Sequence, residues 1–397
     1  MQKKLNFAYS CCQGSYWMIY APLCSFASVF LLAKGYSNSE IGVVFALSNI
    51  LAALLQPVAA DVADRSRRFS VIDVVRLFTL AILAATGGIF LLKGRSLLLS
   101  LTCIAAMSLH ISLQPLINTI PFRLSETGYV VGFGLGRSIG SACYSLAVFL
   151  LGVLVDFLSE SVLPLASIFS TLLLLASLRF TNRAWKSCTL PGGTAAAAQK
   201  EKDQDISLVV FLKKHKIFFV INIGIFSLYI SNSVLNNYMA QIVSSAGGSH
   251  QDLGRILSLM ALLEIPVLAC FHQLKRRFSC QCMIVIAAFF YIVKTFLCYA
   301  ASSVALIYVA QVFQMFSFAL LLPSMVHFID QIMEPGEAVK GQAFYITSTT
   351  AANIVASLTG GRILDVLGVK PLLLISLAFS AAGTLLIAGF IGKTRQA

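Results

Sequence analysis

Three charged side chains lie deep inside apolar stretches of this sequence, and charges at such depth usually mark functional positions. Arg137 lies inside the stretch Gly128–Asp156. Glu264 lies near the middle of residues 251–274, and Lys294 lies in the next apolar stretch. A carboxyl group at mid-membrane depth can take up a proton from one side and release it to the other. We therefore predict that Glu264 and Lys294 take part in proton coupling and that Arg137 faces a cavity.

Each of these charges has a structural alternative. Arg137 could extend to the membrane interface while its aliphatic stem stays in the apolar region. Glu264 could form a structural ion pair with Lys294 or Arg137, and an ion pair that forms and breaks would be compatible with proton coupling. Lys294 is a compact point charge, so it could instead neutralise an anionic group of the substrate.

Glycines surround the intramembrane arginine. Gly132, Gly136 and Gly140 recur at every fourth residue, so they share one face of a helix. Small residues on one face allow two helix backbones to approach closely in a membrane. The sequence therefore predicts a helix that packs tightly at its start and directs Arg137 inward.

The composition places these residues in a membrane protein. Hydrophobic residues make up 58% of the 397 residues, charged residues make up 11%, and the mean hydropathy is +0.85. Soluble domains carry about 25% charged residues. At about 20 residues per span, the chain holds about twelve transmembrane helices, so we predict an all-α membrane protein. The predicted spans are 7–33, 39–63, 71–92, 97–121, 129–157, 161–180, 213–243, 251–274, 280–301, 303–330, 339–365 and 369–392.

A polar segment divides the predicted spans into two groups of six. Residues 181–212 contain Pro-Gly-Gly, an alanine run and mixed charges, which are typical of a flexible linker. We predict a six-helix bundle in residues 1–180, a cytoplasmic linker in 181–212 and a second six-helix bundle in 213–397. Transporters built from two such parallel repeats bind their substrate near the midplane of the membrane, between the halves.

Lysine and arginine are concentrated in alternate loops of the predicted topology. Because loops rich in these residues stay on the cytoplasmic side, we expect both termini and the central linker to be cytoplasmic, in a multi-pass protein of the plasma membrane. The same rule accounts for the net charge of +13 without a nucleic-acid partner. The expected partners are the lipid bilayer and a small-molecule substrate.

Several other classes of protein lack support in the sequence. The ten cysteines lie mostly inside apolar spans, so we predict no disulfide framework, no metal site and no cofactor. No P-loop, H-E-x-x-H or G-x-S-x-G motif occurs, so the sequence predicts neither an enzyme nor an ATP-driven pump. A receptor that transports nothing stays open as an alternative, although it would not need three charges inside the membrane.

A charged loop between the second and third predicted spans carries a family resemblance. Gln56–Arg68 resembles the G-x-x-x-D-R-x-G-R-R signature of the major facilitator superfamily, with Asp64 and Arg65 at the D-R core and Ala60 at the first glycine. The resemblance implies a fold of twelve helices, transport by alternating access and a monomer. A short loop of alternating charge can join two helices and release them, so we predict that Asp64, Arg65 and Arg68 form a cytoplasmic latch. The alternative is an ordinary positively charged loop.

Two further regions resemble the lactose permease group of that superfamily. Phe133–Gly140 resembles the fifth-helix motif of the group, in which one arginine binds the sugar, and Arg137 stands at that position. Tyr144 matches the position of a substrate-stacking tryptophan. Glu264 and Lys294 match a glutamate and an arginine of the phenylpropionate-permease branch. The resemblance thus implies substrate contact by the fifth helix and a charge pair in the eighth and ninth.

Several charged positions of the permease group carry amides or hydroxyls here. Asn118 stands at the place of an acid in the fourth helix, and Asn232 and Asn236 stand at those of aspartates in the seventh. Gln314 and Ser317 occupy the places of a histidine and a glutamate in the tenth. Amides donate and accept hydrogen bonds, which suits hydroxyl-rich or heterocyclic solutes. The predicted substrate-binding residues are Arg137, Tyr144, Asn118, Asn232, Asn236 and Gln314.

These features predict a secondary active transporter that works by alternating access and is not an enzyme. We expect proton-coupled uptake of a sugar, oligosaccharide or nucleoside. The alternatives are a permease for aromatic acids or other organic anions, and an efflux carrier for drugs or metabolites. The fifth predicted helix lacks the proline of the glycine–proline motif that efflux carriers share, which favours uptake.

Overall fold

The computed structural model describes residues 1–65, 70–125, 128–187, 211, 214–334 and 337–395, apart from the side chains of residues 64, 65 and 395. Within these ranges the regular structure is helical and no strand occurs. The predicted cytoplasmic latch consists of Asp64, Arg65 and Arg68 and lies outside the described residues. The description omits residue 68 and the side chains of residues 64 and 65.

In the described part of the chain, ten helices are long and apolar enough to cross a membrane, which confirms the prediction of an all-α membrane protein. Helical segments occupy all twelve predicted spans. The α-helices are α1 (Gln2–Tyr20), α2 (Ala27–Ala33), α3 (Asn38–Arg65), α4 (Val71–Leu91), α5 (Leu97–Ser125), α6 (Phe133–Phe157), α7 (Val162–Lys186), α8 (Lys216–Asn237), α9 (Met239–Ser245), α10 (His250–Arg277), α11 (Cys280–Ala300), α12 (Val304–Val312), α13 (Phe318–Ile332), α14 (Ala338–Leu367) and α15 (Val369–Phe390).

Three predicted spans are interrupted rather than continuous. The first contains a π-helical segment, Ala21–Ser25, between α1 and α2. The seventh is interrupted at Tyr238, which lies between the end of α8 and the start of α9. The tenth is broken between α12 and α13 at residues 313–317. The prediction of a continuous tenth helix is therefore wrong.

The eleventh predicted span is a continuous helix, α14, but it is not among the ten apolar spans. Its run Thr347-Ser-Thr-Thr350 makes it more polar than its neighbours. Helix α7 continues past residue 180 and ends at Lys186, beyond the predicted limit of the first bundle.

The contacts group the chain into two units. The first contains Met1–Ala197 and Ser249–Ala261, and in it α1 packs against α6 and α7, while α5 packs against α3 and α4. The second contains Ala198–Gly248 and Leu262–Ala397, and in it α8 packs against α14 and α15, while α11 packs against α13 and α15.

The glycines of α6 allow close packing against α1, as predicted. A β-carbon on Gly136 would collide with the ring of Tyr9, and one on Gly140 would lie 2.7 Å from Cδ1 of Trp17. Because both glycines lack a side chain, two aromatic rings of α1 lie directly against the backbone of α6. This packing fixes the position of Trp17 relative to Arg137.

A second glycine contact lies inside the first unit, between α6 and the first turns of α10. A β-carbon on Gly152 would lie 2.6 Å from the carbonyl oxygen of His250, and one on Gly254 would collide with the carbonyl oxygen of Val148. Asp156 accepts backbone N–H bonds from His250 at 3.2 Å and from Gln251 at 2.8 Å. The carboxylate thus caps the N-terminus of α10.

We expect Gly254→Ala to lower the melting temperature of the detergent-solubilised protein by several degrees. In an open helix position the same change stabilises by up to about 1 kcal/mol, but here the methyl group would meet the backbone of α6. Gly134→Ala is the matched control, because nothing lies within 4 Å of a β-carbon at Gly134. Equal melting temperatures for the two variants would contradict this packing.

A buried carboxylate joins the start of α8 to the start of α14. Glu337 has 3% of its side chain exposed, and it accepts hydrogen bonds from Lys214 Nζ at 3.0 Å and His215 Nε2 at 2.9 Å. Lys214 also contacts the exposed Glu334 at 2.8 Å. Burial by itself would raise the pKa of Glu337, but these two hydrogen bonds hold that pKa below its ordinary value.

We expect Glu337→Gln to lower the melting temperature at neutral pH, because it removes the negative charge beside Lys214 and His215 and replaces one of the two accepting oxygens with an amide nitrogen that only donates. A lowered folded-state pKa stabilises the protein above the ordinary glutamate pKa, and this contribution is lost as the pH falls through the folded-state pKa. The difference in melting temperature between wild type and Glu337→Gln should therefore shrink on acidification. Glu334→Gln, at an exposed partner of the same lysine, should show a smaller and less pH-dependent effect. A difference that grows as the pH falls would refute the assignment.

Candidate functional site

Arg137 lies over an aromatic ring in the first unit. Its guanidinium carbon is 4.1 Å from the ring centroid of Trp17, which is cation–π geometry. Its Nη1 donates to Ser141 Oγ at 3.0 Å, one turn further into α6. The side chain is therefore directed along α6 toward the middle of the helix. This direction favours the inward orientation over extension to the nearby helix end.

Three aromatic rings form a cluster beside the arginine. The ring centroid of Trp17 lies 5.4 Å from that of Tyr20 and 6.2 Å from that of Tyr144, and the two tyrosines are 5.9 Å apart. The π-helical segment places Ser25 Oγ at 2.9 Å from the hydroxyl of Tyr144. Arg137 and Tyr144, both predicted to bind substrate, are thus brought together by Trp17. The cluster offers flat apolar faces with polar groups at their edges.

Asn118 is connected to α1 by hydrogen bonds. Its Oδ1 accepts from Gln13 Nε2 at 3.0 Å, and the same nitrogen donates to the hydroxyl of Tyr9 at 2.7 Å. Tyr9 also packs under Gly136 and lies within electrostatic range of Arg137. Two residues of α1, Gln13 and Tyr9, therefore lie between Asn118 and the arginine.

The predicted charge pair of the second unit is connected through an amide. Lys294 Nζ donates to Gln314 Oε1 at 2.5 Å, and Gln314 Nε2 donates to Glu264 Oε1 at 2.9 Å. Lys294 is 0% exposed and Gln314 is 2% exposed, while Glu264 is half-buried. A charge buried to this degree requires partners. Here the lysine and the carboxylate share one glutamine.

The glutamine that connects them comes from the break between α12 and α13. The backbone of residues 313–317 forms turns, with N–H bonds from Phe316 and Ser317 to the carbonyl of Phe313 at 3.1 and 2.9 Å. The carbonyl of Gln314 accepts from the N–H of Ala319 at 3.1 Å. Discontinuous helices expose backbone and polar groups at membrane depth, and they are common at the binding sites of transporters.

Tyrosines lie near the carboxylate of Glu264. Tyr229 and Tyr345 join their hydroxyls at 2.8 Å, and Tyr229 and Tyr291 lie within electrostatic range of Glu264. The hydroxyl of Tyr291 is buried, and no hydrogen bond from a described residue reaches it. Tyr229, Tyr291 and Tyr345 are not among the substrate-binding residues predicted from the sequence.

The two amides predicted in the seventh span have different surroundings. Asn232 is buried, and its Oδ1 receives no hydrogen bond from the described residues. Asn236 is exposed. Neither has a hydrogen bond to the group formed by Glu264, Gln314 and Lys294 among the contacts of the described residues.

The partners of Arg137 were not among the residues predicted from the sequence. They are Trp17 and Ser141, and Gln13 connects Asn118 to the same face of α1. A signal was present, because Tyr9, Gln13, Trp17 and Tyr20 recur at intervals of three and four residues and share one face of α1. A polar and aromatic stripe on an apolar helix indicates contact with a polar site.

In the described residues, no three potential metal ligands form a group.

Comparisons with known proteins agree with this architecture. The model of the MFS_1 like family matches residues 9–375. No curated protein matches the chain. A solved structure of the nucleoside transporter NupG has a TM-score of 0.75 and 16% identity, covering 98% of each chain. A POT family peptide transporter has a TM-score of 0.70 and 12% identity, covering 100% of this chain and 96% of the other.

A bacterial homolog of the human lysosomal transporter Spinster, in an inward-facing and unoccupied conformation, has a TM-score of 0.68 and 12% identity and covers 98% of both chains. At these identities the structural similarities establish the fold, while the family model covers nearly the whole sequence. The chain therefore belongs to the MFS_1 like family and is a multi-pass, all-α membrane transporter with the major facilitator fold.

Proposed function

We propose that this protein is a proton-coupled secondary active transporter that takes up a small, ring-containing polar solute by alternating access. The observation that carries the proposal is the position of Arg137 on Trp17, beside the rings of Tyr20 and Tyr144. A guanidinium carries five N–H donors in a planar fork that can bind hydroxyl or carbonyl oxygens, and adjacent rings can stack on a sugar or a base.

A nucleoside is the substrate class that we favour. Nucleosides combine a flat heterocycle with a hydroxyl-bearing ribose, which matches an aromatic cluster next to an arginine and amides. The similarity in fold to NupG, described as a nucleoside transporter, is compatible with this choice. Sugars and oligosaccharides, which lack the heterocycle, would use the same donors with weaker stacking.

Proton coupling is assigned to Glu264. The carboxylate is half-buried at mid-helix, its Oε1 accepts from Gln314, and Lys294 supplies a positive charge on the other side of that amide. A proton on Glu264 removes the negative charge that balances Lys294. Such a change in charge alters the electrostatic energy of a low-dielectric site by an amount sufficient to favour a different conformation.

An organic-anion permease is the second candidate, because the site residues include two intramembrane cations and one acid. Arg137 could bind a substrate carboxylate directly, with bidentate geometry. Aromatic acids would then be preferred over neutral nucleosides, and the same aromatic cluster would stack on their ring. An efflux carrier for drugs or metabolites is the third candidate. The direction in which the solute is transported distinguishes it from an uptake carrier.

The cellular setting is part of the proposal. We place the protein in the plasma membrane as a monomer, with both termini cytoplasmic. Its two six-helix halves are residues 1–180 and 213–397, and residues 181–212 form the linker. Asp64, Arg65 and Arg68 are proposed to act as a cytoplasmic latch.

Counterflow in proteoliposomes tests the proposed function. Vesicles are loaded with an unlabelled nucleoside, sugar or aromatic acid and then diluted into the labelled solute. We expect transient accumulation of labelled nucleoside above equilibrium, and no accumulation in protein-free vesicles. Accumulation of aromatic acids alone would support the anion permease instead, and absence of counterflow for every class would contradict the proposal.

A further inference from the structure

The amide of Gln314 uses both of its polar atoms on charged groups of the protein. Its Oε1 accepts from Lys294 and its Nε2 donates to Glu264. An ammonium group can only donate and a carboxylate can only accept, so the two partners fix the orientation of the amide. With 2% of its surface exposed, Gln314 has little surface left for a solute. The sequence predicts that Gln314 binds substrate, but its hydrogen bonds to Lys294 and Glu264 also explain why a polar side chain lies at this position.

We propose that Gln314 is a positioning residue, which holds Lys294 and Glu264 at a fixed separation and connects their charge state to the broken helix α12–α13. The proposal rests on the proposed role of Glu264 in proton coupling. When a hydronium ion gives a proton to the carboxylate of Glu264, one O–H bond of hydronium breaks, one O–H bond of the carboxyl group forms and water leaves. Gln314 thereby loses a charged acceptor. A hydrogen bond to a neutral acceptor is about half as strong as one to a charged acceptor.

The location of Gln314 gives this change a mechanical consequence. The residue belongs to the turns at 313–317, where the N–H of Phe316 bonds the carbonyl three residues back and the N–H of Ala319 bonds the carbonyl five residues back. The side chain of Gln314 reaches α10 and α11, while its carbonyl accepts from Ala319 in α13. A weaker bond to Glu264 therefore loosens a contact between the break and α10.

Other titratable groups lie near Glu264 and Lys294. They are Tyr229 of α8 and Tyr291 of α11, while Tyr345 of α14 hydrogen-bonds Tyr229, and Cys298 of α11 lies near Lys294. Gln314 hydrogen-bonds both Glu264 and Lys294.

Infrared titration of the full-length protein in detergent, with Gln314→Met, tests the proposal without relying on transport. The protonated carboxyl band of Glu264 is identified by its absence in Glu264→Gln. We expect its titration midpoint to move to higher pH by about one unit in Gln314→Met, because a carboxylate that loses a donor is protonated more easily. Gln311→Met, at a buried glutamine one turn earlier in α12, is the matched control and should leave the midpoint unchanged.

Counterflow affinity separates the two roles of Gln314. A positioning residue predicts that Gln314→Met changes the half-saturating concentration of the transported solute by less than about threefold. An unmoved carboxyl band would overturn the proposal. A tenfold loss of affinity together with the unmoved band would restore substrate binding as the role of Gln314. Gln314→Asn, which is too short to reach both partners, provides a second variant if Gln314→Met does not fold. If no solute is transported, the proposed function fails while the infrared result still decides the role of Gln314.

Discussion

Arg137→Ala is expected to lower the affinity for the transported solute by about 100-fold while the protein still folds. Hydrogen bonds to a charged donor contribute about 1.5–3 kcal/mol, and each 1.4 kcal/mol corresponds to a tenfold change in affinity. The arginine is partly exposed and contacts the face of Trp17 and the hydroxyl of Ser141. We expect its removal to affect the ligand more than the core.

Arg137→Lys should restore less than a tenth of the lost affinity. A lysine keeps the charge, but it lacks the planar guanidinium that stacks on Trp17 and the fork of donors that can bind two oxygens. Concentration-dependent counterflow in proteoliposomes measures both variants. Arg255→Ala is the control, because that arginine is exposed and its ion pair with Asp252 is 4.0 Å long. Wild-type affinity in Arg137→Ala would leave the arginine with a structural role.

Glu264→Gln is expected to abolish accumulation of solute against a gradient but to retain counterflow. Exchange requires only that the loaded carrier changes conformation, whereas accumulation requires a proton to bind and leave in each cycle. Glutamine keeps the size of the side chain and the capacity to accept from Gln314 Nε2, so packing should be preserved. The loss of accumulation should exceed tenfold, and counterflow should stay within about threefold of wild type.

Asp252→Asn is the matched control for this carboxylate. Asp252 lies in the first turn of the same helix, α10, near the surface, where it forms an ion pair with Arg255. The control variant should accumulate solute like wild type. If Glu264→Gln accumulated solute normally, Glu264 would be only a structural partner of Gln314 and Lys294.

The sequence was informative where local composition determines structure. Helical segments overlap all twelve spans predicted from apolar stretches, and the spacing of Gly136 and Gly140 predicted a closely packed helix face, which the structure places against α1. Both signals are local, because the apolar length of a span and the face of a helix are set by neighbouring residues.

The break between α12 and α13 could not be predicted from local signals. Residues 313–317 contain neither glycine nor proline, while Pro323 lies inside the intact α13. Prolines also lie inside α3, α5 and α10 without ending those helices. The break coincides with the hydrogen bonds of Gln314 to α10 and α11, which are tertiary contacts. Helix propensity alone cannot indicate such contacts.

The partners of the predicted site residues could not be predicted from the sequence for a related reason. The sequence shows that Arg137 is intramembrane, but Trp17 is distant along the chain, and only the folded unit places its ring 4.1 Å from the guanidinium. Likewise, Glu264 and Lys294 were expected to pair directly, whereas the structure connects them through Gln314. The types of residue in the site were predictable, but their connections depended on how the helices pack.

The most direct test of proton-coupled transport is the external pH during addition of a nucleoside to proteoliposomes that contain the wild-type protein. Solute that enters with protons makes the weakly buffered external solution more alkaline. We expect this alkalinisation with wild type, and its loss in both Glu264→Gln and Arg137→Ala. Nucleoside counterflow without any change in external pH would contradict proton coupling and would make the protein a uniporter or a carrier coupled to another ion.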